Sequence, residues 1–300
     1  MESQKPKIVV LVGPTASGKT ALAIELAKQC SGEVISADSR QVYKKLDIGT
    51  EKITKDEMDG VPHHLIDIVD TQTTYSASDF KRDAASAIEE ITSRGKLPII
   101  AGGTFFYINV LLEKIVSPEV PPNQELRAEL EEKSASDLFA ALQNIDPRRA
   151  ADVDPENKRR LIRALEIVRA LGKVPEAAEK ECPYDVIMIG IETDRTILRE
   201  RIAKRSKEAL SRGLATETKE LLESRISKER LSEIGLEYRI VLEHLDGLLT
   251  EEALIKKLEE KVWQYAKRQL TWLKREETVH WFQRTQTSEI KSSVELFLQK

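Results

Sequence analysis

Residues 13–20, Gly13-Pro14-Thr15-Ala16-Ser17-Gly18-Lys19-Thr20, follow the pattern G-x-x-x-x-G-K-[ST]. The flanks give the pattern its structural weight. Residues 8–12 are a short, apolar, β-branched run, which predicts a strand buried on both faces. Residues 19–29 place Leu22, Ile24, Leu26 and Ala27 at helical spacing. A glycine-rich turn between a buried strand and a helix predicts a phosphate-binding loop set in a parallel α/β sheet.

The same rhythm continues downstream. Residues 33–37 predict a second strand, ending at Asp38. Residues 77–94 predict an amphipathic helix closed by Gly95, and residues 97–101 a third buried strand cut off by Gly102-Gly103. The rhythm stops near Val116, where Pro118, Pro121 and Pro122 punctuate the chain. Residues 123–180 then read as helical and highly charged, and residues 184–191 return to a β-rich run. The expected architecture is a P-loop NTPase-like parallel sheet flanked by helices, made of residues 1–117 and 183–300. Residues 118–182 are expected to be an all-helical insertion domain. Helices over 194–212, 216–225, 231–245 and 251–273 complete a helical C-terminal part, with a late strand over 278–282.

Composition narrows the class. Of the 300 residues, 40% are hydrophobic, enough for a sizeable core, and no run of about 18 apolar residues exists to span a membrane. Residues 1–7 are polar and show no signal-peptide pattern, so a cytoplasmic protein without membrane partners is expected. A monomer is expected as well. Cys30 and Cys182 stand far apart outside any CxxC pair, which predicts two inert reduced thiols. The net charge of -4 argues against nucleic-acid binding by the whole surface but leaves room for a local basic patch.

The loop's chemistry follows from its residues. Glycines let the backbone curl so that N–H groups face one anion, and the helix N-terminus adds about half a positive charge. Lys19 adds a full charge, and Thr20 offers a hydroxyl to Mg²⁺. An ordinary ATPase of this kind carries an acid after a neighbouring strand. Here residues 97–101 run into Gly102-Gly103-Thr104 instead, and the strand-terminal acid is Asp38. A diphosphate cradle beside one carboxylate suits attack on a carbon bearing a pyrophosphate leaving group. It suits equally a small-molecule kinase whose acceptor hydroxyl is held by the acid, and the loop also allows a non-catalytic RNA-binding switch with a nucleotide effector.

Other candidates stand beside bland alternatives. Arg201 and Arg205 are four apart and share a helix face, where like charges repel unless an anion lies near. Lys158, Arg159, Arg160 and Arg163 form a basic cluster that is either a solvated helix face or a phosphate contact. Lys267, Arg268, Lys274 and Arg275 surround Trp263, Tyr265 and Trp272, a mixture that either stacks on bases or packs on the core. His63-His64 lacks a third ligand nearby, so structural or positioning contacts are expected rather than a metal.

Several motifs in order carry a resemblance. After residues 13–20 come Ser36-Ala37-Asp38-Ser39-Arg40-Gln41-Val42-Tyr43 and Asp47-Ile48-Gly49-Thr50. Next are Pro62-His63-His64-Leu65-Ile66-Asp67, Gly102-Gly103-Thr104 with Tyr107, Arg163-Ala164-Leu165-Glu166, and Tyr265-Ala266-Lys267-Arg268-Gln269 with Thr271-Trp272. Together they resemble the tRNA dimethylallyltransferase (IPP transferase) family, in its bacterial type without the eukaryotic Cys/His zinc finger. The resemblance implies transfer of a dimethylallyl group from dimethylallyl pyrophosphate to the N6 amine of the adenosine at tRNA position 37, beside the anticodon. It implies Asp38 as general base and a pyrophosphate held by residues 13–20 and Arg205, with Mg²⁺ at Thr20. It implies that the insertion clamps the anticodon stem-loop. It also implies that Asp38, Ser39, Arg40, Gln41, Thr104, Arg127, Arg159, Arg160, Leu161, Ile162 and Arg163 touch tRNA. Two positions depart from the family pattern. Arg40 stands where an uncharged residue is common, and residues 234–238 (Ile-Gly-Leu-Glu-Tyr) lack the tyrosine directly after glycine.

Overall fold

In the computed structural model the first strand, β1 (Lys7–Val12), is the near-central rail of the sheet, and its residues from Ile8 to Val12 are buried. The structure describes residues 5–115, 118, 120–175 and 181–299; expectations that fall on residues 1–4, on Val116 and on 176–180 lie outside the described residues. After β1 come α1 (Lys19–Gln29), β2 (Gly32–Ser36), α2 (Lys55–Met58), β3 (His63–His64), α3 (Ala77–Ser93), β4 (Leu97–Ala101) and α4 (Phe105–Leu111). A helical segment follows, with α5 (Gln124–Glu131), α6 (Ala135–Ile145), α7 (Pro147–Ala151) and α8 (Lys158–Leu171). The chain then returns through β5 (Asp185–Glu192), α9 (Arg195–Ser211), α10 (Leu214–Glu223), α11 (Lys228–Ile234), α12 (Leu236–Leu245), α13 (Glu251–Leu273), β6 (Val279–Gln283) and α14 (Thr287–Gln299).

The six strands form one parallel sheet in the order β3-β2-β4-β1-β5-β6. Parallel strands need crossovers, and crossover helices cover both faces, which explains why the strands read as continuous apolar runs. One face buries Ile8, Val10, Ile35 and Ile100 under Phe80, Ile88 and Ile91 of α3 and Ile108 of α4. The other buries Val9, Leu11, Ile99 and Ile189 under Leu22 and Leu26 of α1 and Ile290 and Val294 of α14. Each such aliphatic side chain contributes about 1.5–3 kcal/mol by leaving water. α3 starts at a capping box, with Ser76 and Asp79 each bonding the other's backbone N–H. A third core joins Val42, Tyr43 and Leu46 to helices α10 to α13 around the fully buried Tyr238.

The chain divides into two compact units, Met1–Leu112 with Cys182–Lys300, and Glu113–Glu181. The first holds the sheet. The second is helical and has a core of its own around Leu138, Leu142, Leu161, Ile162 and Leu165. Its division from the first begins five residues before the expected Pro118. The helix expected over 231–245 is two helices. Gly235 is extended, φ -139°, and the Tyr238 ring occupies the space where a Cβ would stand, 2.4 Å from a ring carbon.

Candidate active site

The loop from Gly13 to Gly18 joins β1 to α1, as its sequence requires. Ala16 and Gly18 take left-handed backbone, φ 62° and 89°, so that the chain folds back on itself before entering the helix. Two of its amides are used within the protein. Ser17 N donates to Pro14 O at 3.2 Å, and Thr15 N donates to Gln269 Oε1 at 2.9 Å. The amides of Gly18, Lys19 and Thr20 meet no protein acceptor among the described residues, as expected of donors that open a helix. Ser17 is fully buried, and its Oγ has no hydrogen-bond partner among the described residues.

This loop borders a cavity of about 860 Å³ that Lys19, Thr20, Asp38, Arg40, Arg201 and Arg205 also line. The sheet order explains the gathering. β2 and β1 flank β4, so the turn after β2, the phosphate loop after β1 and the Gly102-Gly103 turn after β4 emerge side by side at one sheet edge. Gly102 is needed there, because a Cβ would lie 2.1 Å from Ala37 O. Ala37 N donates to Ala101 O at 2.9 Å, and Thr104 N to Ala37 O at 3.0 Å.

Asp38 is half-buried in that turn. Its Oδ1 accepts Arg40 N at 2.9 Å and Gln41 N at 3.4 Å, while Oδ2 has no protein partner among the described residues. The next residue is pinned from β4's side, since Thr104 Oγ1 accepts Ser39 N at 2.9 Å. One carboxylate oxygen thus fixes the turn and the other remains for a ligand. Lys19 Nζ donates to Pro14 O at 3.3 Å. Burial pushes its ammonium down to about 8; Asp38 pulls the other way and the Arg205 charge pushes further down.

Arg40, expected at tRNA, is held inside the cavity. It donates to Glu237 Oε2 at 2.8 Å and lies 5.4 Å from the Tyr265 ring centre. Burial opposes its charge, but Glu237, Tyr265 and Asp38 outweigh that and raise its affinity for the proton. Gln41 donates to the Thr50 and Glu51 carbonyls at 3.4 and 3.1 Å. Arg201 donates to Ala16 O at 3.3 Å, and Arg205 pairs with Glu51 at 3.0 Å, so the shared helix face does turn toward the loop. Among the described residues no group of three or more His, Cys, Asp or Glu could hold a metal on its own.

Some contributors carried no role in the sequence. Gln269 bridges the site: its Oε1 accepts Thr15 N and its Nε2 donates to Gly103 O at 2.9 Å. The signal was there, a glutamine on the buried stripe of α13 between Ala266 and Leu273. Glu217 accepts Ile48 N at 2.7 Å, Gly49 N at 3.0 Å and Asp47 N at 3.1 Å, and receives the Tyr238 hydroxyl at 2.7 Å. Tyr238, two places beyond the position where the family pattern has its tyrosine, therefore locks the 47–49 turn.

The remaining candidates divide. In the helical unit Arg159 and Arg160 are exposed, whereas Leu161 and Ile162 put their side chains into the core. Arg127 and Arg163 both bind the buried Glu166 carboxylate, Arg127 through Nε and Nη2 at 2.9 Å and Arg163 at 2.7 Å. Burial raises the Glu166 carboxyl, but these arginines and Asn123 N outweigh it and hold it below the usual range. Two of the five arginines expected at tRNA thus already serve an internal carboxylate. His63 and His64 are structural, bonded to Val61 O at 2.9 Å and to Glu33 Oε2 at 2.7 Å. On α13, Tyr265 lines the cavity, Trp263 packs with Leu198, Ile202 and Ala266, and Trp272 is exposed.

The chain matches a family model described as IPP transferase over residues 41–276. It is 46% identical over 292 residues to the tRNA dimethylallyltransferase of Thermomicrobium roseum, covering 95% of this chain and 88% of that one. It is 41% identical over 296 residues to that of Bacillus subtilis, covering 95% and 93%. The crystal structure of the full-length tRNA isopentenylpyrophosphate transferase from Bacillus halodurans superposes with a TM-score of 0.74 at 40% identity, covering 98% of this chain and 97% of that one. A structure of eukaryotic dimethylallyltransferase acting on tRNA gives a TM-score of 0.77 at 31% identity, with 90% and 70% covered. A P-loop-type parallel sheet, this cavity and these likenesses together make the chain a member of the IPP transferase family, the tRNA dimethylallyltransferases.

Proposed function

We propose that this chain transfers a dimethylallyl group from dimethylallyl pyrophosphate to the N6 amine of the adenosine beside the anticodon of tRNA. The observation that carries the proposal is that Asp38, with one carboxylate oxygen uncommitted, lines the same cavity as Lys19, Thr20 and Arg205. A kinase is the poorer fit, because β4 ends in Gly102-Gly103 rather than in an acid.

The chemistry needs two things of the protein. As the allylic C–O bond breaks, the diphosphate gains charge. The Lys19 ammonium and the Arg205 guanidinium line the cavity and, with the amides of Gly18, Lys19 and Thr20, are the donors that would receive it. Such donors contribute roughly 3–4 kcal/mol each to lowering a barrier. The adenine amine is a weak nucleophile because its lone pair is delocalised. Asp38 Oδ2 accepts its N–H, aims it at the allylic carbon, and takes the proton as the C–N bond forms. An anticodon-loop base leaves its stack for a few kcal/mol, so it can reach such a cavity.

Thr20 fits a Mg²⁺ that arrives with the diphosphate, since this ion keeps most of its ligands as water and phosphate oxygen. When bound, the ion would neutralise charge on the leaving group. Arg159 and Arg160, exposed on the helical unit, are suited to the phosphates of the stem-loop, and clamping that element is the unit's proposed role. The proposed setting is a monomer in the cytoplasm, where tRNA is.

The test is to incubate the protein with tRNA, Mg²⁺ and dimethylallyl pyrophosphate and to weigh the digested nucleosides. The expected product is adenosine carrying one dimethylallyl group, from the anticodon loop only. Unchanged nucleosides together with steady ATP hydrolysis would replace the proposal with a kinase.

A further inference from the structure

Glu51 lies on the turn after residues 47–49 and lines the cavity. Its two carboxylate oxygens go to different arginines of α9 and its end: Oε2 pairs with Arg205 at 3.0 Å, and Oε1 with Arg212 at 3.1 Å. One anionic group bridging two guanidinium groups is the arrangement a phosphate would adopt there. The backbone beneath it is fixed on every side. Glu217 holds the amides of Asp47, Ile48 and Gly49, Glu51 N donates to Ile48 O at 3.2 Å, and Gln41 Nε2 donates to Glu51 O at 3.1 Å. Glu51 itself is left-handed, φ 51°, a conformation that a non-glycine residue adopts uncommonly and that marks a site worth inspecting.

We infer that Glu51 is a built-in anion that competes with the diphosphate for Arg205 and Arg212. The carboxylate keeps the two like charges together and oriented. When the diphosphate binds, Arg205 must exchange one anion for another, so the net gain is reduced. The consequence is weaker retention of both the allylic substrate and released pyrophosphate, which favours turnover over tight product binding. Glu51 is thus a positioning residue that sets affinity and takes no proton. The inference rests on the pyrophosphate reading of the cavity given above.

Both pairs are partly solvent-exposed, so removing the competing charge should tighten binding by about twofold to fivefold. The experiment is calorimetric titration of the full chain with inorganic pyrophosphate, with and without Mg²⁺, on wild type, Glu51→Gln and Glu51→Asp. Glu51→Gln should bind about twofold to fivefold tighter in both conditions, with pyrophosphate inhibition of turnover strengthened and KM for dimethylallyl pyrophosphate lowered by a similar factor. Glu51→Asp, which keeps the charge, should return toward wild type. Thermal melting of each variant checks that the fold is intact. Equal or weaker binding by a folded Glu51→Gln would overturn the inference, and weakening confined to Mg²⁺ would make Glu51 a ligand on the metal's side instead. Failure of wild type to bind pyrophosphate at all would reject the underlying pyrophosphate reading, a distinct result.

Discussion

Replacing Gln269 by alanine should loosen the phosphate loop in a measurable way. Its side-chain amide ties Thr15 N on the loop to Gly103 O on the turn after β4, each at 2.9 Å, and only 8% of the residue is exposed. Truncation strands one donor and one acceptor. Each costs about 1–3 kcal/mol when it stays dry, and the low end applies because the cavity next door admits water. The expected loss is therefore about 2 kcal/mol, or roughly 4–8 °C in melting temperature for a unit of this size. Calorimetric melting with pyrophosphate titration measures both effects. Gln269→Glu separates them. Its carboxylate can still accept Thr15 N but faces Gly103 O without a donor, and it brings a negative charge beside the cradle. It should lose more pyrophosphate affinity than stability. An alanine variant that melts with wild type and binds pyrophosphate equally would refute the bridge.

Lys19 should make pyrophosphate affinity depend on pH. With its ammonium lowered to about 8 in the free protein, affinity is full below that value and falls as pH rises through it, because the charge is lost; a flat profile from pH 7 to 9.5 would contradict this. Lys19→Arg, which stays charged, should flatten the profile. Glu166→Ala should destabilise the helical unit by about 3 kcal/mol, since two arginines and Asn123 N lose a buried partner; proteolysis or hydrogen exchange within residues 113–181 would show it. Because the Glu166 carboxyl is held below its usual value, that contribution is present above the unfolded-state value and lost as pH falls through the folded one. Arg159→Ala and Arg160→Ala should each weaken binding of different tRNAs alike and lower the salt slope by about one counterion, as read by filter binding at several salt concentrations.

The sheet was legible because its strands are buried on both faces and so are written as apolar runs bounded by glycine. The strand over 97–101 and the helix over 19–29 were placed to the residue. Short elements were not. β3 is only His63 and His64, polar and two residues long, and α4 is buried nearly all round, so neither shows a periodic stripe. Its start directly after Gly102-Gly103 reads as a turn. α14 supplies Ile290 and Val294 to the second face but lies in a polar stretch. The position of Asp38 beside the loop followed from its place at the end of a strand. The partners of charged side chains did not, because pairing is a matter of three-dimensional neighbours. Arg40 meets Glu237, Arg205 meets Glu51, and Arg127 and Arg163 share Glu166, across separations that no local pattern encodes.

The role of Asp38 can be isolated by single-turnover transfer with saturating tRNA and dimethylallyl pyrophosphate, comparing wild type with Asp38→Asn. Loss of a positioned general base should slow transfer by about 10²–10⁴-fold. Pyrophosphate binding should not weaken, since a negative charge beside Lys19 has gone, and tRNA should still bind. Transfer at a rate near wild type by the asparagine variant would contradict the account, as would a loss of activity matched by an equal loss of pyrophosphate binding.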